Sequence, residues 1–523
     1  MLRKAPVFYL FVVFGIGCLI RLVPLVVSFP YPVGYDTINY YLPALYHFDA
    51  DWGRLATEFP IYIAVVYLFS LVSSIDVYYS FLASTVLLYG FFSTTVYLLS
   101  KKIMKQTSNI SLIFTVFVIF QLGTLRVSWD LFRDLFSLIL FNFFLLMINN
   151  IKEKNNMNPP FISVVTIFSI SVVTIFSDRM IGILLIITSF IFSFVYKQKY
   201  LFMINAFFAL SFFFYFFAFD KVTFISGDTD FLNKLLNPLY DKNAFSKLDM
   251  SILFLSLYGI LIPLFIPGFL TNKFNDNTLI IKIPLMVTAF FSFTWIFVPN
   301  YGYIVPERWM LVFGIYMSLI AVSGFFLIME KHVVLRKRGR RKEIMFIFLF
   351  AFIVYGFLFA VMPYNTTYSF PSLFKENTRF IIPFSMVFNT LDVDDNHDLI
   401  KAIDWANSNT TNDSTIIGTK HSRGWFALFL KPTTHYLYLE DFVSIRDTPL
   451  NKKQINDFLL SLGKKFEYLC DNKNNYKNKP LLYFIDFNKS NDAPLFSSIV
   501  YRSENIVIYD LKQPLCSFKS LLV

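Results

Sequence analysis

Apolar runs of about twenty residues recur through roughly the first two thirds of the chain. A helix of that length rises about 30 Å, which matches the hydrocarbon core of a bilayer. Only 15% of the 523 residues are charged, against about 25% in an average soluble domain. The bilayer, rather than one large soluble core, is therefore expected to bury the apolar surface. The sequence predicts a polytopic α-helical membrane protein.

About eleven apolar runs are predicted to be transmembrane helices, at 7–29, 77–99, 110–123, 131–149, 160–176, 180–196, 200–219, 250–268, 281–298, 308–329 and 344–362. The apolar segment 60–74 would rise only about 22 Å as a helix, so it is predicted to be re-entrant or interfacial. In the long loop 30–58, residues 37–48 are predicted to form a short helix that lies on the membrane surface.

Lysine and arginine residues indicate the orientation of the spans. If 60–74 does not cross, Lys101, Lys102 and Lys105 lie on the same side as the N-terminus, and so does the basic cluster 336–342. Short loops rich in Lys and Arg stay in the cytoplasm, so the N-terminus is predicted to be cytoplasmic. Nucleic-acid binding is not expected from the net charge of +11, because no basic face stands out beyond the cytoplasmic loops.

This orientation leaves the polar segment 363–523 outside the cytoplasm. Helical spacing over 398–407, together with short β-like runs, predicts a compact α/β domain there. The runs lie at 414–418, 435–438, 481–485, 497–501 and 506–509. The chain is thus predicted to be a membrane domain, 1–362, followed by an extracytoplasmic α/β domain, 363–523. The external loops 30–58, 123–134 and 299–308 are the candidate catalytic loops.

Charged residues of the membrane domain cluster at the outer ends of the predicted helices. Ionisable residues at membrane depth are costly and usually functional, so these side chains are predicted to line one cavity that opens outward. They are Asp36, Arg126, Asp130, Arg133, Asp134, Asp178, Arg179, Glu307 and Arg308.

Each member of this set also has a purely structural interpretation. Asp36 fits a plain turn residue, and the segment 129–134 fits an interfacial tryptophan anchor with solvated charges. Asp178–Arg179 fits an ion pair that only joins two helices, and Glu307–Arg308 fits a local helix cap. The functional interpretation needs the charges to converge, which a sequence does not show.

The chemistry of these side chains suits a phosphate-bearing substrate. Asp130 and Asp134 are spaced i,i+4 on one helix face, where they can orient a substrate or share a divalent cation. Arg308 presents fixed donors that suit a phosphate group.

The motifs in this order resemble the GT-C glycosyltransferase superfamily. Gly34-Tyr35-Asp36 follows the first helix, Trp129-Asp130 is followed by Arg133-Asp134, a late arginine stands at an outer helix end, and an external α/β domain ends the chain. The layout is similar to archaeal and bacterial relatives of oligosaccharyltransferase catalytic subunits and protein mannosyltransferases. The tail lacks Trp-Trp-Asp-Tyr-Gly, and 424–426 is the nearest match, which favours an acceptor other than a glycosylation sequon.

The resemblance implies transfer of a sugar from a polyprenyl or dolichol (di)phosphate donor to a protein, lipid or glycan acceptor, with inversion, on the extracytoplasmic face of the cell membrane. Asp36 matches the catalytic aspartate, Asp130 the acidic residue of the second loop, and Arg308 the arginine near the lipid phosphate. Arg126, Arg133 and Arg179, with Glu307 and Asp178, are expected to help bind the substrate and its phosphate. A diphosphate donor implies Mg²⁺ or Mn²⁺ held by Asp36, Asp130 and Asp134, whereas a monophosphate donor needs no metal.

A transporter or flippase of lipid-linked or hydrophobic solutes is the main alternative. Transporters place polar groups near the membrane midplane in broken helices. The interiors of the predicted spans are rich in Phe, Leu and Ile and almost free of charge, which favours the enzyme. A membrane-anchored surface protein would not need the charged outer ends.

Overall fold

The computed structural model describes residues 5–29, 31–32, 34, 36–46, 61–153, 160–218, 246–270, 278–333, 339–361, 393–411, 414–419, 422–431, 433–439, 482–486, 498–504 and 506–510. Contacts divide the chain into two compact units. One is the membrane unit, formed by α1 and the described residues from 61 to 361. The other, here called the C-terminal unit, contains the first loop, 28–46, as well as residues from 393 onward.

The described helices are α1 (Ala5–Ser28), α2 (Leu42–Tyr46), α3 (Ile61–Ser73), α4 (Val77–Leu98), α5 (Ser108–Ile119), α6 (Leu122–Asp130), α7 (Phe132–Glu153), α8 (Phe161–Ser177), α9 (Arg179–Val195), α10 (Lys199–Ala218), α11 (Lys247–Tyr258), α12 (Ile262–Leu270), α13 (Leu279–Ser292), α14 (Thr294–Phe297), α15 (Pro306–Val333), α16 (Gly339–Val361), α17 (Val393–Asn409) and α18 (Arg423–Phe429). A π-helical turn, Thr37–Tyr41, leads into α2, and another, Leu99–Ile103, extends α4. A 3₁₀ turn, Tyr301–Tyr303, precedes α15.

The prediction of a polytopic helical membrane protein is confirmed. Among the described residues, five helices are long and apolar enough to cross a membrane, and seven if each of two bent pairs counts as one span. The other predicted spans coincide with shorter apolar helices, so the number of eleven crossings stays a prediction. Helix α3 has 13 residues and rises about 20 Å. It is shorter than the hydrocarbon core of about 30 Å, and its re-entrant or interfacial placement stays a prediction.

Two predicted spans are broken rather than straight. α5 and α6 are bent by 65° at Phe120–Gln121, and α11 and α12 by 74° at the turn after Tyr258. The two breaks meet, because Gln121 Nε2 donates to the carbonyl of Leu257 at 3.3 Å. Gln121 Oε1 also accepts from Thr124 N at 2.9 Å, which begins the second half of the first broken helix. As a result, residues 123–130 are helical rather than the external loop that the sequence predicts.

Small residues allow a close helix approach in the membrane unit. α12 and α15 cross where Gly268 faces Gly324. A Cβ at Gly324 would lie 1.9 Å from the carbonyl oxygen of Leu264, and one at Gly268 would lie 2.2 Å from that of Ile320. Backbones this close exclude any side chain, as in other membrane helix pairs joined by small residues.

The C-terminal unit contains the predicted α/β fold. Its five strands are β1 (Thr415–Thr419), β2 (His435–Leu439), β3 (Leu482–Asp486), β4 (Ser498–Arg502) and β5 (Val507–Asp510). The sheet order is β2-β1-β3-β5-β4, with β1 parallel to β2 and β3, and with β5 antiparallel to β3 and β4. The ends of all five strands lie within one residue of the predicted β-like runs. Helix α17 begins five residues before the predicted helix 398–407 and ends two residues after it.

Candidate active site

Two helix starts bring buried carboxyl groups together in the membrane unit. Asp134 lies in the first turn of α7, directly after the break that separates α7 from α6, and is 2% exposed. Asp178 precedes α9 and caps it, because its Oδ1 accepts a hydrogen bond from Ile181 N at 2.9 Å. The two carboxyl groups lie within hydrogen-bonding reach of each other. Short polar side chains at N-caps are common, but a second buried acid against the cap is not explained by capping.

Arginines from two different helices reach the same point. Both Arg308, from the start of α15, and Arg133, from the start of α7, interact electrostatically with Asp134, and Arg308 does so more strongly. Both side chains are half-buried. The structure therefore places Arg133, Asp134, Asp178 and Arg308 in one group, here called the acid–arginine cluster, although they come from three helices. This convergence is the part of the predicted cavity that the structure supports.

The segment before Arg308 carries backbone strain. Val305 has a φ of 57°, a left-handed conformation that is unfavourable for a β-branched residue. The turn is held by hydrogen bonds from the Ile304 and Val305 amides to Tyr301 O, and by Arg308 N donating to Val305 O at 3.0 Å. Strain of this kind accumulates at functional sites. Pro306 then begins α15, where its missing N–H is tolerated.

The other predicted residues of the membrane unit lie on α6, α9 and α15. Arg126 is half-buried on α6, Asp130 ends that helix, and Arg179 begins α9 and is 8% exposed. Glu307 is half-buried and interacts electrostatically with the adjacent Arg308. The side chain of Asp130 lies outside the described residues. For Arg126, Arg179 and Glu307, a direct part in the acid–arginine cluster stays a prediction.

Sequence analysis missed one charged residue. Arg21 lies within the apolar helix α1 and is 1% exposed. Its Nη2 lies 3.5 Å from the carbonyl oxygen of Trp129, and its guanidinium lies 5.5 Å from the centroid of the Phe132 ring. Arg21 thus contacts the junction from which Asp134 projects. A lone arginine inside an otherwise apolar span was the available signal, because such residues are rare at membrane depth.

Asp36 belongs to the C-terminal unit. It is half-buried and immediately precedes the π-helical turn Thr37–Tyr41, in an α-helical conformation with φ −67° and ψ −25°. Its carboxylate does not cap that turn. The predicted short helix over 37–48 is present as this turn and α2. Convergence of Asp36 with the acid–arginine cluster stays a prediction.

A metal ion is a prediction that the structure does not test. Among the described residues, no three His, Cys, Asp or Glu side chains are grouped closely enough to hold an ion. Asp36 and Asp134 belong to different units, and the Asp130 side chain lies outside the described residues.

Comparison with known proteins gives a fold and no family assignment. No protein-family model and no curated protein matches the chain. Nineteen solved chains have a similar fold. One of them is the crystal structure of ArnT from Cupriavidus metallidurans bound to undecaprenyl phosphate, with a TM-score of 0.50, 11% sequence identity, and coverage of 95% of this chain and 98% of that chain. The likeness confirms the predicted GT-C fold over nearly the whole length. At this identity it shows the fold alone, since one fold hosts many functions.

Proposed function

We propose that this protein is a membrane glycosyltransferase that transfers a sugar from a polyprenyl-phosphate donor to an acceptor. The GT-C fold supports the proposal over 95% of the chain, and a protein of that fold binds undecaprenyl phosphate. The observation that carries it is the acid–arginine cluster, which a structural role alone does not require. Three helix starts hold two carboxyl groups and two guanidinium groups together in the membrane unit.

Arg308 and Arg133 are proposed to hold the phosphate of the leaving group. When the bond between the anomeric carbon and the phosphate oxygen breaks, its electron pair leaves with the phosphate and increases the negative charge there. Guanidinium groups match phosphate oxygens with two parallel hydrogen bonds. Positive charge that is already fixed in place stabilises this developing charge without reorganisation.

Asp134 and Asp178 are proposed to orient the two arginine side chains and to bind hydroxyl groups of the sugar. Partly buried guanidinium groups need compensating partners, and the buried Asp134 carboxyl interacts electrostatically with both Arg133 and Arg308. Carboxyl oxygens are also suited to sugar hydroxyls.

Asp36 is proposed to act as the base. It accepts the proton of the acceptor group while the acceptor attacks the anomeric carbon, so that one carbon–oxygen or carbon–nitrogen bond forms as the bond to phosphate breaks. A single displacement of this kind inverts the configuration at the sugar carbon. The acceptor is a protein, lipid or glycan on the extracytoplasmic face. With a monophosphate donor the arginines suffice; with a diphosphate donor, Mg²⁺ or Mn²⁺ near Asp36, Asp130 and Asp134 would neutralise the extra charge.

A transporter or flippase remains the alternative, and the two broken helices favour it. Transporters use broken helices to expose backbone groups to a substrate near the midplane. Here, however, the breaks are closed within the protein. Gln121 donates to Leu257 O, and the hydroxyl of Tyr258 donates to Met310 O. Both Gln121 and Tyr258 are fully buried, at 1% and 0% exposed.

Transfer and transport are separated by one assay. Sealed vesicles containing the protein are given polyprenyl-phosphate sugars labelled in the sugar, from a panel of donors. Transfer moves the label to an acceptor and releases polyprenyl phosphate, and vesicles without the protein show neither. If the label reaches the opposite leaflet with the lipid–sugar bond intact, the protein is a flippase and the proposed function is wrong.

A further inference from the structure

We infer that the C-terminal unit holds the loop of Asp36 in place through helix α18, with Asn39 and Gly424 as positioning residues for the base. Contacts at Asn39 and at Tyr31 show that the loop is docked on α18. The catalytic consequence of this docking rests on the proposed function.

The backbone of α18 packs directly on the π-helical turn. Gly424 N donates to Asn39 Oδ1 at 2.8 Å, across 385 residues of sequence. A Cβ at Gly424 would lie 2.0 Å from the carbonyl oxygen of Ile38 and 2.7 Å from the Cα of Asn39. No residue other than glycine fits this approach without displacing the loop. The contact lies three residues beyond Asp36.

An aromatic contact anchors the other side of the loop. The ring of Tyr31 meets the ring of Trp425 edge-on, with centroids 5.9 Å apart, and Trp425 is 2% exposed. The Tyr31 hydroxyl is hydrogen-bonded to His397 Nδ1 of α17 at 2.7 Å. Asp36 is therefore bracketed by two docking points, at Tyr31 and at Asn39, and both partners are elements of the C-terminal unit.

The loop also buries an apolar face. Ile38, Tyr41, Leu42 and Leu45 are each 1–5% exposed, and Thr37 is 1% exposed. The same turn and α2 pack against α18. A π-helical turn is uncommon and is often found at functional sites. The sequence predicts that this helix lies on the membrane surface. In the structure the turn and α2 pack against α18.

The arrangement has a consequence for the reaction. A loop of this length has many conformations when it is not docked, and ordering it costs conformational entropy. Docking fixes the backbone of Asp36 before the substrates bind. A displacement of about 1 Å at a catalytic group can cost on the order of 10²-fold in rate. Weakening the contact between the Asp36 loop and α18 should therefore lower kcat. The KM for the donor should stay unchanged, because other residues are proposed to bind the donor phosphate.

Asn39→Ala removes the acceptor for the Gly424 amide and tests the docking. Asn409→Ala is the matched control, because Asn409 Nδ2 donates to Trp405 O at 2.9 Å within α17 itself. The probe is Thr37→Cys, a buried position. Maleimide labelling of this cysteine in the full chain is measured by mass spectrometry of its peptide, so the native cysteines can stay.

The cysteine introduced at position 37 is expected to be labelled slowly on its own and together with Asn409→Ala. Labelling should be at least about tenfold faster with Asn39→Ala or Gly424→Ala, since opening exposes a buried group. Equal labelling in all backgrounds would overturn the inference. The labelling does not depend on catalysis, so it can support docking even if no sugar transfer is ever found. If transfer is found, kcat should fall with Asn39→Ala but not with Asn409→Ala. An unchanged kcat would remove the positioning role.

Discussion

Arg308 is the residue on which the proposed leaving-group chemistry depends most. Arg308→Ala is expected to lower the transfer rate by about 10²–10³-fold, the usual cost of removing one fixed donor from developing charge. Arg308→Lys should recover part of that loss, because it keeps the charge but loses the paired donors. Arg502→Lys, an exposed position on β4, is the control. Steady-state transfer with a single donor measures all three, and an Arg308→Ala rate near wild type would exclude this role.

Asp178 caps α9, and one comparison tests the second role proposed for it in sugar transfer. Asp178→Ala removes the cap of α9 and one half of the buried carboxyl pair. Asp76→Ala removes only a cap, because Asp76 Oδ1 accepts from Tyr78 N at 2.8 Å at the start of α4 and Asp76 is not part of the cluster. Both variants should lose about 0.5–2 kcal/mol of stability, measured by thermal unfolding in detergent.

Only Asp178→Ala should also weaken sugar transfer, and Asp178→Asn, which can still cap the helix, should unfold near the wild-type temperature. Equal transfer by Asp178→Ala and Asp76→Ala would show that Asp178 is a cap and nothing more.

At the residue scale, sequence reasoning identified the members of the cluster but not their partners. Asp134, Asp178 and Arg308 are far apart in sequence, and only the packing of α7, α9 and α15 shows that they meet. Arg21 was overlooked because it lies inside a span rather than at its end. The strain at Val305 has no sequence signal, since valine gives no hint of a left-handed backbone.

At the scale of elements, the crossing of α12 and α15 leaves no room for a side chain larger than glycine at Gly324. Gly324→Ala would place a methyl group 1.9 Å from Leu264 O, so the helices must separate. We expect a loss of about 1–3 kcal/mol in unfolding free energy, the usual cost of overpacking. Gly15→Ala is the matched control, because nothing lies within 4 Å of the added Cβ there. Thermal unfolding in detergent is the measurement, and equal stability of the two variants would contradict the packing described.

The elements themselves were largely predictable, for physical reasons that differ between the units. The strands of the C-terminal unit are short apolar runs between polar turns, a pattern that hydropathy detects well. The bends after Ile119 and Tyr258 were not predicted, because an apolar run continues through each break. What closes the breaks is a buried amide and a buried hydroxyl from distant residues, and hydropathy does not register such contacts.

At the scale of the whole molecule, the orientation of the chain in the membrane is a separate prediction. The distribution of Lys and Arg places the N-terminus in the cytoplasm and the C-terminal unit outside it. Reporter fusions should therefore be active outside when joined after residue 523 and inside when joined before residue 1. A reporter that is active outside when joined before residue 1 would put Asp36, which follows the first span, in the cytoplasm and away from the face on which the donor is proposed to bind.

The proposed function requires the Asp36 loop and the acid–arginine cluster to act on one donor. The most direct test is the rate of sugar transfer by Asp36→Asn, a change that removes the base and keeps the shape of the side chain. Loss of general-base help predicts a fall of about 10²–10⁴-fold, with binding of polyprenyl phosphate unchanged because the arginines remain. A transfer rate within twofold of wild type, about 0.4 kcal/mol in activation free energy, would contradict the proposed catalytic role of Asp36 and the convergence on which it depends.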